Sequence, residues 1–162
     1  MHIRQATPAD VPEILALIRE LAAYERDPDA VKATETEILR DGFGASPRFF
    51  TLMAEVEGQI AGMALYFYNW STWRGQTGIH LEDLFVRPNF RGLGIGKALI
   101  RAVARVAVDN NFGRFQWEVL EWNKPAIEFY QSLGAEILSE WRIMRVTDEA
   151  LVALASPAEQ QS

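Results

Sequence analysis

A glycine-rich turn between a predicted strand and a predicted helix constrains the fold of this chain more than any other feature. The turn reads R-G-L-G-I-G-K over residues 91–97 and follows an apolar segment at 79–86. Glycines let the backbone turn tightly and approach a ligand closely, and the free N–H groups at the start of a helix bind anions. The sequence therefore predicts a phosphate site formed by Arg91, Gly92, Leu93, Gly94, Ile95, Gly96 and Lys97.

Two familiar phosphate-binding motifs do not describe this turn. A Rossmann fingerprint has the spacing G-x-G-x-x-G in the first βα unit, whereas this turn is G-x-G-x-G and lies deep in the chain. A P-loop carries serine or threonine after its lysine, whereas Ala98 follows Lys97. A plain strand–helix connection without a ligand stays an alternative when the turn is considered alone.

The apolar pattern predicts one mixed α/β domain over residues 1–155, with antiparallel and parallel pairing and a disordered tail at 156–162. Thr7 and Thr34 are predicted to begin the first two helices, and the second of them opens a capping box. The predicted strands lie at 2–5, 49–56, 59–69, 79–86, 114–120 and, as one or two strands, 136–146. The predicted helices lie at 8–25, 34–42, 97–108, 123–133 and 148–155, and 70–78 is predicted to be a loop.

Composition narrows the functional class. The net charge is −6, which disfavours a nucleic-acid-binding protein because such proteins usually present a basic face. The chain contains no cysteine, so disulfides, thiolate metal sites and a cysteine nucleophile are excluded. His2 and His80 have no companion ligands, so no metal site is expected. No apolar run approaches the roughly 20 residues of a membrane span, and no signal peptide is visible, so we expect a cytoplasmic protein.

Four further segments accompany the turn. They are Tyr24-Glu25, D-G-F-G at 41–44, L-E-D-L-F-V at 81–86 and E-W-N-K-P-A-I-E-F-Y at 121–130. Together with the turn they resemble the GNAT superfamily of N-acetyltransferases and, within it, the spermidine/spermine (diamine) N-acetyltransferase branch. That branch also contains enzymes that act on thialysine and related diamino acids. The resemblance extends from about residue 3 to about residue 152.

The resemblance implies a GNAT fold with a central mixed sheet and flanking helices, in which the sheet is splayed between two central strands to admit the pantetheine arm of acetyl-CoA. It also implies a homodimer. In addition to the turn, the residues expected to contact acetyl-CoA are Leu84, Phe85, Val86, Asn123, Lys124, Pro125 and Ala126. Asn123 also suits the N-cap of the helix that it opens, and both roles can hold at once.

The resemblance also assigns the chemistry. Glu82 is expected to contact the substrate amine and to act as a base through water, and Tyr130 is expected to protonate the departing thiolate. Adjacent strand residues point to opposite faces, so Glu82 and Asp83 are predicted to do so. The alternative for Glu82 and Asp83 is that both are solvated acids on an edge strand. The alternative for Tyr130 is that it is a half-buried aromatic side chain without a catalytic role. The remaining residues expected to bind the amine are Tyr24, Glu25, Asp83, Gln116, Trp117 and Glu118.

The predicted function is transfer of the acetyl group of acetyl-CoA to a primary amine of a small molecule, by direct attack within a ternary complex. Arg74, Arg26 and Lys124 are expected near the pocket and favour a substrate that carries a carboxylate, such as thialysine or ornithine. Two alternatives stay open: a protein or peptide N-acetyltransferase, and a non-catalytic sensor of acyl-CoA.

Overall fold

A computed structural model describes residues 1–156, in two compact units that divide after Glu118. Apart from Ser156, the predicted tail lies outside the described residues. The first unit contains β1 (His2–Gln5), α1 (Val11–Tyr24), α2 (Glu35–Phe43), β2 (Phe50–Val56), β3 (Gln59–Ser71), β4 (Gln76–Val86), α3 (Ile95–Asp109) and β5 (Arg114–Trp117). The second unit contains α4 (Lys124–Ser132) and α5 (Asp148–Ala155). This set of strands and helices confirms the mixed α/β class that the sequence predicts.

The first unit is a five-stranded sheet between helices. The strand order is β1-β2-β3-β4-β5, and every pairing is antiparallel except the parallel pairing of β4 with β5. One face packs its apolar side chains Met53, Met63 and Phe85 against α1 and α2. The opposite face carries Leu52, which lines a groove together with residues of α3. We call these the α1 face and the α3 face.

Short polar motifs at the helix starts hold the first unit together locally. The Asp10 carboxylate accepts a hydrogen bond from the Thr7 backbone N–H at 2.7 Å and two from the Arg4 guanidinium at 2.8 Å. These contacts fix the 3-10 turn that precedes α1. Glu37 accepts from the Thr34 backbone N–H at 2.9 Å, which is the predicted capping box of α2. Both predicted helix starts are therefore confirmed to within a turn.

Three predicted boundaries differ in the structure. The predicted loop at 70–78 shrinks to a turn at 72–75, because β3 and β4 continue to pair up to Ser71 and Gln76. β5 ends at Trp117 rather than at residue 120. The strands predicted over 136–146 are absent from the described residues. The apolar alternation there favours a strand, but a strand requires a ladder partner as well as a pattern.

No helix in the described part of the chain is both long enough and apolar enough to cross a bilayer.

Candidate functional site

β4 contains a β-bulge at Glu82, in the middle of its pairing with β3. Leu81 pairs with Tyr66 and Asp83 pairs with Leu65, so β4 has one residue more than β3 between these two pairs. A bulge re-aims the side chains on the strand that carries it. Asp83 therefore shares a face with Leu65, and Leu81 lies on the opposite face with Tyr66.

The bulge overturns the prediction that Glu82 and Asp83 point to opposite faces. His80 pairs with Phe67, and its Nε2 lies 3.7 Å from Glu82 Oε2, so Glu82 is on the face of Phe67. Leu65 and Phe67 are two residues apart on β3 and share this face. Leu65 belongs to the core formed with α1, so both carboxylates lie on the α1 face.

Three carboxylates are coupled on this face: Glu82, Asp83 and Glu25, which follows α1 directly. Burial raises the pKa of Asp83 to about 7, and the negative charges of Glu82 and Glu25 act in the same direction. Desolvation also raises the pKa of Glu25. Within residues 1–156, no arginine or lysine forms an ion pair with any of the three. We call these residues the carboxylate cluster.

Several partly buried acids of the first unit have arginine partners. Asp10 pairs with Arg4 at 2.8 Å, and this contact holds the pKa of Asp10 well below its usual range. Glu13 and Glu20 of α1 pair with Arg87, at 2.9 and 2.8 Å. Because Arg87 directly follows β4, this network fixes α1 against the end of the strand that carries the bulge.

The ladder between β4 and β5 ends one residue before the bulge. β5 pairs with residues 78–81 of β4, and the last pair is Leu81 with Trp117. In the described residues no strand pairs with the β5 side of residues 82–86. The predicted splay lies between two central strands, whereas this gap lies between β4 and β5, which is an edge strand in the described residues. An open backbone edge can bind an extended ligand in the manner of an added strand, so Leu84, Phe85 and Val86 are available for that role.

The glycine-rich turn has an open geometry. Gly92 and Gly94 adopt φ values of 82° and 76°, in the left-handed region that glycine occupies without steric cost. A Cβ at either position would meet no atom within 4 Å. Gly94 is the N-cap of α3, so the unpaired N–H groups of the first helical turn lie directly after it. This geometry fits the predicted phosphate site.

Arg91 connects the turn to the end of α1. Its Nε donates a hydrogen bond to the Val86 carbonyl oxygen at 3.0 Å. Its Cζ lies 4.9 Å from the centroid of the Tyr24 ring and 5.7 Å from that of Phe85. The structure therefore brings Tyr24, predicted to bind the substrate, next to a residue of the predicted phosphate site.

The predicted substrate residues of β5 separate onto two faces. Gln116 pairs with His80 and shares its face, two residues from the bulge. Trp117 pairs with Leu81 and therefore lies on the α3 face, away from the carboxylate cluster. Glu118 follows the strand and is exposed. The structure therefore brings Gln116 to the face of the cluster and Trp117 to the opposite face.

Arg74 is also distant from the carboxylate cluster. It lies in the turn between β3 and β4, beside Gly113. From Gln76 to Glu82 the strand advances six residues, which is roughly 20 Å at about 3.3 Å per residue. The expectation that Arg74 lies near the substrate pocket is therefore not met.

The second unit carries the other predicted residues. Asn123 caps α4, because its side-chain oxygen accepts a hydrogen bond from the Ala126 N–H at 3.4 Å. Lys124 and Pro125 are the first residues of that helix. The Tyr130 ring packs against Phe129 with centroids 5.2 Å apart. The N-cap role of Asn123 is confirmed, whereas contacts to a coenzyme and proton donation by Tyr130 stay predictions.

His80 is a candidate residue that the sequence pattern alone does not reveal. In the sequence, His80 has no companion metal ligands nearby. Residues 1–156 contain no group of three or more acidic or histidine side chains that could hold a metal ion. The structure instead places His80 beside Glu82. Their spacing of two residues on one strand was the signal that could have identified this contact.

Comparison with known proteins supplies independent evidence. A family profile described as Acetyltransferase (GNAT) family matches residues 14–135. A thialysine N-epsilon-acetyltransferase of Bos taurus is 43% identical over 164 residues, covering 94% of this chain and 96% of that protein. A spermidine/spermine N(1)-acetyltransferase-like protein of Homo sapiens is 37% identical, covering 95% of this chain and 24% of that protein.

Solved structures agree with the architecture. An integron cassette protein from the mobile metagenome of V. cholerae has a TM-score of 0.81 and 24% identity. The alignment covers 96% of this chain and 98% of that one. At this level of identity the likeness bears on the fold alone, and it supports the fold described above.

Replacing Asp83 by asparagine should stabilise the protein more near pH 8 than near pH 5. The pKa of Asp83 in the folded protein, about 7, lies above the ordinary value for aspartate, about 3.9. Ionisation of Asp83 therefore opposes folding, and the wild type loses stability relative to Asp83→Asn as pH rises through this interval. Thermal unfolding at the two pH values measures the difference in melting temperature.

The matched control is Asp29→Asn, which changes an exposed carboxylate in the loop before α2. It should give similar melting-temperature changes at both pH values. An equal effect of Asp83→Asn at the two pH values would contradict the burial argument for the carboxylate cluster.

Proposed function

The chain belongs to the acetyltransferase (GNAT) family, and from this premise we propose that it moves the acetyl group of acetyl-CoA to a primary amine of a small diamine or diamino acid. The observation that carries the proposal is the carboxylate cluster of Glu82, Asp83 and Glu25, which has no arginine or lysine partner in the described residues. A substrate ammonium would supply the missing positive charge. The thialysine-acetylating relative, whose substrate is a diamino acid, supports the same class of amine.

The residues present fit acetyl-CoA as the acetyl donor. The open turn at Gly92 and Gly94 suits a pyrophosphate, because a Cβ there would meet no atom within 4 Å and helix N–H groups follow directly. The open β5-side edge of residues 82–86 suits an extended pantetheine arm. When bound, acetyl-CoA supplies an acetyl thioester whose carbonyl carbon the amine attacks, with loss of a thiolate.

Glu82 is the residue proposed to prepare the amine. An alkyl ammonium has a pKa of about 10.4, so most of it carries a proton at neutral pH and cannot attack. The Glu82 side chain is 57% exposed, so water can reach it and relay the proton from the ammonium. Asp83 and Glu25 hold the cation through charge, and a backbone N–H of residues 84–86 polarises the thioester carbonyl.

Tyr130 is proposed to donate a proton to the leaving thiolate. A phenol has an ordinary pKa of about 10, above that of a thiol at about 8.5, so it stays protonated at neutral pH and can donate. The chain lacks cysteine, which is consistent with direct transfer in a ternary complex rather than through a cysteine acyl-enzyme. The contacts of Asn123, Lys124, Pro125 and Ala126 with the coenzyme belong to the same proposal.

A diamino acid would place its own carboxylate away from the carboxylate cluster. Arg74 and Arg26 are the two candidate arginine partners for that substrate carboxylate. Arg74 lies in the turn before Gln76, and Gln76 is roughly 20 Å along β4 from Glu82 by strand rise, farther than a diamino acid of lysine length reaches. Arg26, in contrast, follows Glu25 directly and has a φ of 68°. We therefore assign recognition of a substrate carboxylate to Arg26 rather than to Arg74.

A panel of amines tests the proposed function. Free-thiol release from acetyl-CoA would be measured with thialysine, lysine, ornithine, putrescine, spermidine, spermine and a peptide with a free N-terminus. We expect turnover with the small amines and a preference for diamino acids. Arg26→Gln should reduce this preference by raising KM for the diamino acids. Turnover with the peptide alone would indicate a protein acetyltransferase. Binding of acetyl-CoA without turnover of any amine would indicate a sensor.

Tyr130→Phe should lower kcat by about 10²- to 10⁴-fold because it removes the proton donor. The affinity for acetyl-CoA, measured by calorimetry, should stay nearly unchanged. Tyr68→Phe is the matched control, because Tyr68 lies on the α3 face of β3 opposite Ile79, and its kcat should equal that of the wild type. A loss confined to coenzyme affinity in Tyr130→Phe would contradict the assigned role.

We also propose that the protein forms a homodimer in the cytoplasm. In support, large apolar side chains between residues 137 and 154 are exposed in the single chain, including Ile137, Leu138, Ile143 and Met144 at 58–89%. Exposed apolar surface of this extent is typical of an interaction surface. Sedimentation equilibrium should give a mass near twice 18.3 kDa, and a monomeric mass at all concentrations would contradict the dimer.

A further inference from the structure

His80 lies directly behind Glu82 on the α1 face of β4. Its Nε2 is 3.7 Å from Glu82 Oε2, which is within ion-pair distance and beyond direct hydrogen-bond distance. The His80 side chain is 15% exposed, whereas the Glu82 side chain is 57% exposed. The Glu82 carboxylate is therefore accessible to solvent, and the more buried His80 imidazole lies next to it.

This imidazole stacks on a ring of β3, at a residue where β4 is paired on both sides. The His80 ring stacks on Phe67, its partner on β3, with centroids 4.9 Å apart and an interplanar angle of 24°. On the other side, Gln116 of β5 pairs with His80 in register. The last β4–β5 pair, at Leu81, comes directly after His80. The ring thus occupies a fixed position where the ladder ends and the bulge begins.

The position of His80 addresses a step that the proposed function leaves open. A carboxylate that accepts a proton from an ammonium must lose that proton before the next cycle. In model compounds an imidazole binds a proton more tightly than a carboxylate does, with pKa values of about 6.5 and about 4.3. An imidazole next to a carboxylate is therefore a suitable acceptor for that proton.

We propose that His80 is a positioning residue that takes up, at Nε2, the proton that Glu82 receives from the substrate amine. The proposal rests on the proposed amine acetylation. The N–H bond of the ammonium breaks as an O–H bond forms on Glu82. Because Glu82 Oε2 and His80 Nε2 are 3.7 Å apart, one water relays the proton between them. The O–H bond on Glu82 breaks as the water receives that proton, and the water gives up one of its own as an N–H bond forms at His80 Nε2. The imidazolium then releases the proton to bulk water. Glu82 returns to the carboxylate form and no electrons are transferred.

Neighbouring charges determine which experiment is decisive. Phe67 and Gln116, the partners of His80 on β3 and β5, are uncharged. Asp83 has a raised pKa of about 7, so a pH profile of activity near neutrality would report on Asp83 and would not test the role of His80. The charged groups on this face around His80 are Glu82, Asp83, Glu25 and Arg114.

Chemical rescue separates a proton acceptor from a structural side chain. His80→Ala should lower kcat by about 10- to 100-fold while leaving acetyl-CoA affinity unchanged. Added imidazole should then raise the kcat of His80→Ala several-fold, with saturation, because it can occupy the space beside Phe67. His80→Phe retains an aromatic ring for the stack without a proton acceptor, so it should be as slow as His80→Ala and should not respond to imidazole.

The matched control is His2→Ala, which removes the second of the two histidines at an exposed position on β1. It should behave as the wild type with and without imidazole. The proposal is overturned if an active wild type is matched by His80→Phe in kcat, or if imidazole fails to raise the kcat of a folded His80→Ala. Absence of wild-type turnover with every amine would instead overturn the proposed function, and this inference with it.

Discussion

The register shift at Glu82 is the constraint on which the candidate site depends. Side chains alternate along a strand, so without the extra residue Asp83 would share the α3 face with Leu81. The bulge moves Asp83 to the α1 face. The bulge itself directly follows Leu81, the last residue of β4 that pairs with β5. One local irregularity thus gathers the carboxylates, and beyond it no strand of the described residues pairs with the β5 side of residues 82–86. Bulges of this kind are common next to active sites.

The bulge can serve a site only if α1 is fixed over it. Arg87 provides this link, because it follows β4 and donates to the carboxylates of Glu13 and Glu20 on α1 at 2.9 and 2.8 Å. Apolar packing of α1 on the sheet acts in the same direction. The end of α1 is then held where Glu25 joins the carboxylate cluster and where Tyr24 contacts Arg91. Packing far from the chemistry therefore determines the electrostatics of the site.

Features encoded locally could be predicted from the sequence, and features set by pairing could not. The glycine-rich turn, the capping box at Thr34 and the cap at Asn123 depend on a few adjacent residues, and all three are present. The bulge depends on how β3 and β4 align, so the assignment of Glu82 and Asp83 to opposite faces failed. The same limitation explains the missing strands at 136–146, whose apolar alternation lacks a ladder partner in the described residues.

The carboxylate cluster differs from the arginine-paired acids of the first unit in a way that favours function over stability. Asp10 and Glu20 have arginine partners at 2.8 Å, whereas Asp83 is largely buried among negative charges and has no such partner in the described chain. Burial of an uncompensated charge costs free energy, so folding alone gives no reason for Asp83 to be a carboxylic acid. An arriving ammonium would favour ionised Asp83, so the destabilisation would be relieved when substrate binds. Strongly perturbed acids of this kind cluster at functional sites, and here the bulge that moves Asp83 to the α1 face lies directly after the last residue of β4 that pairs with β5.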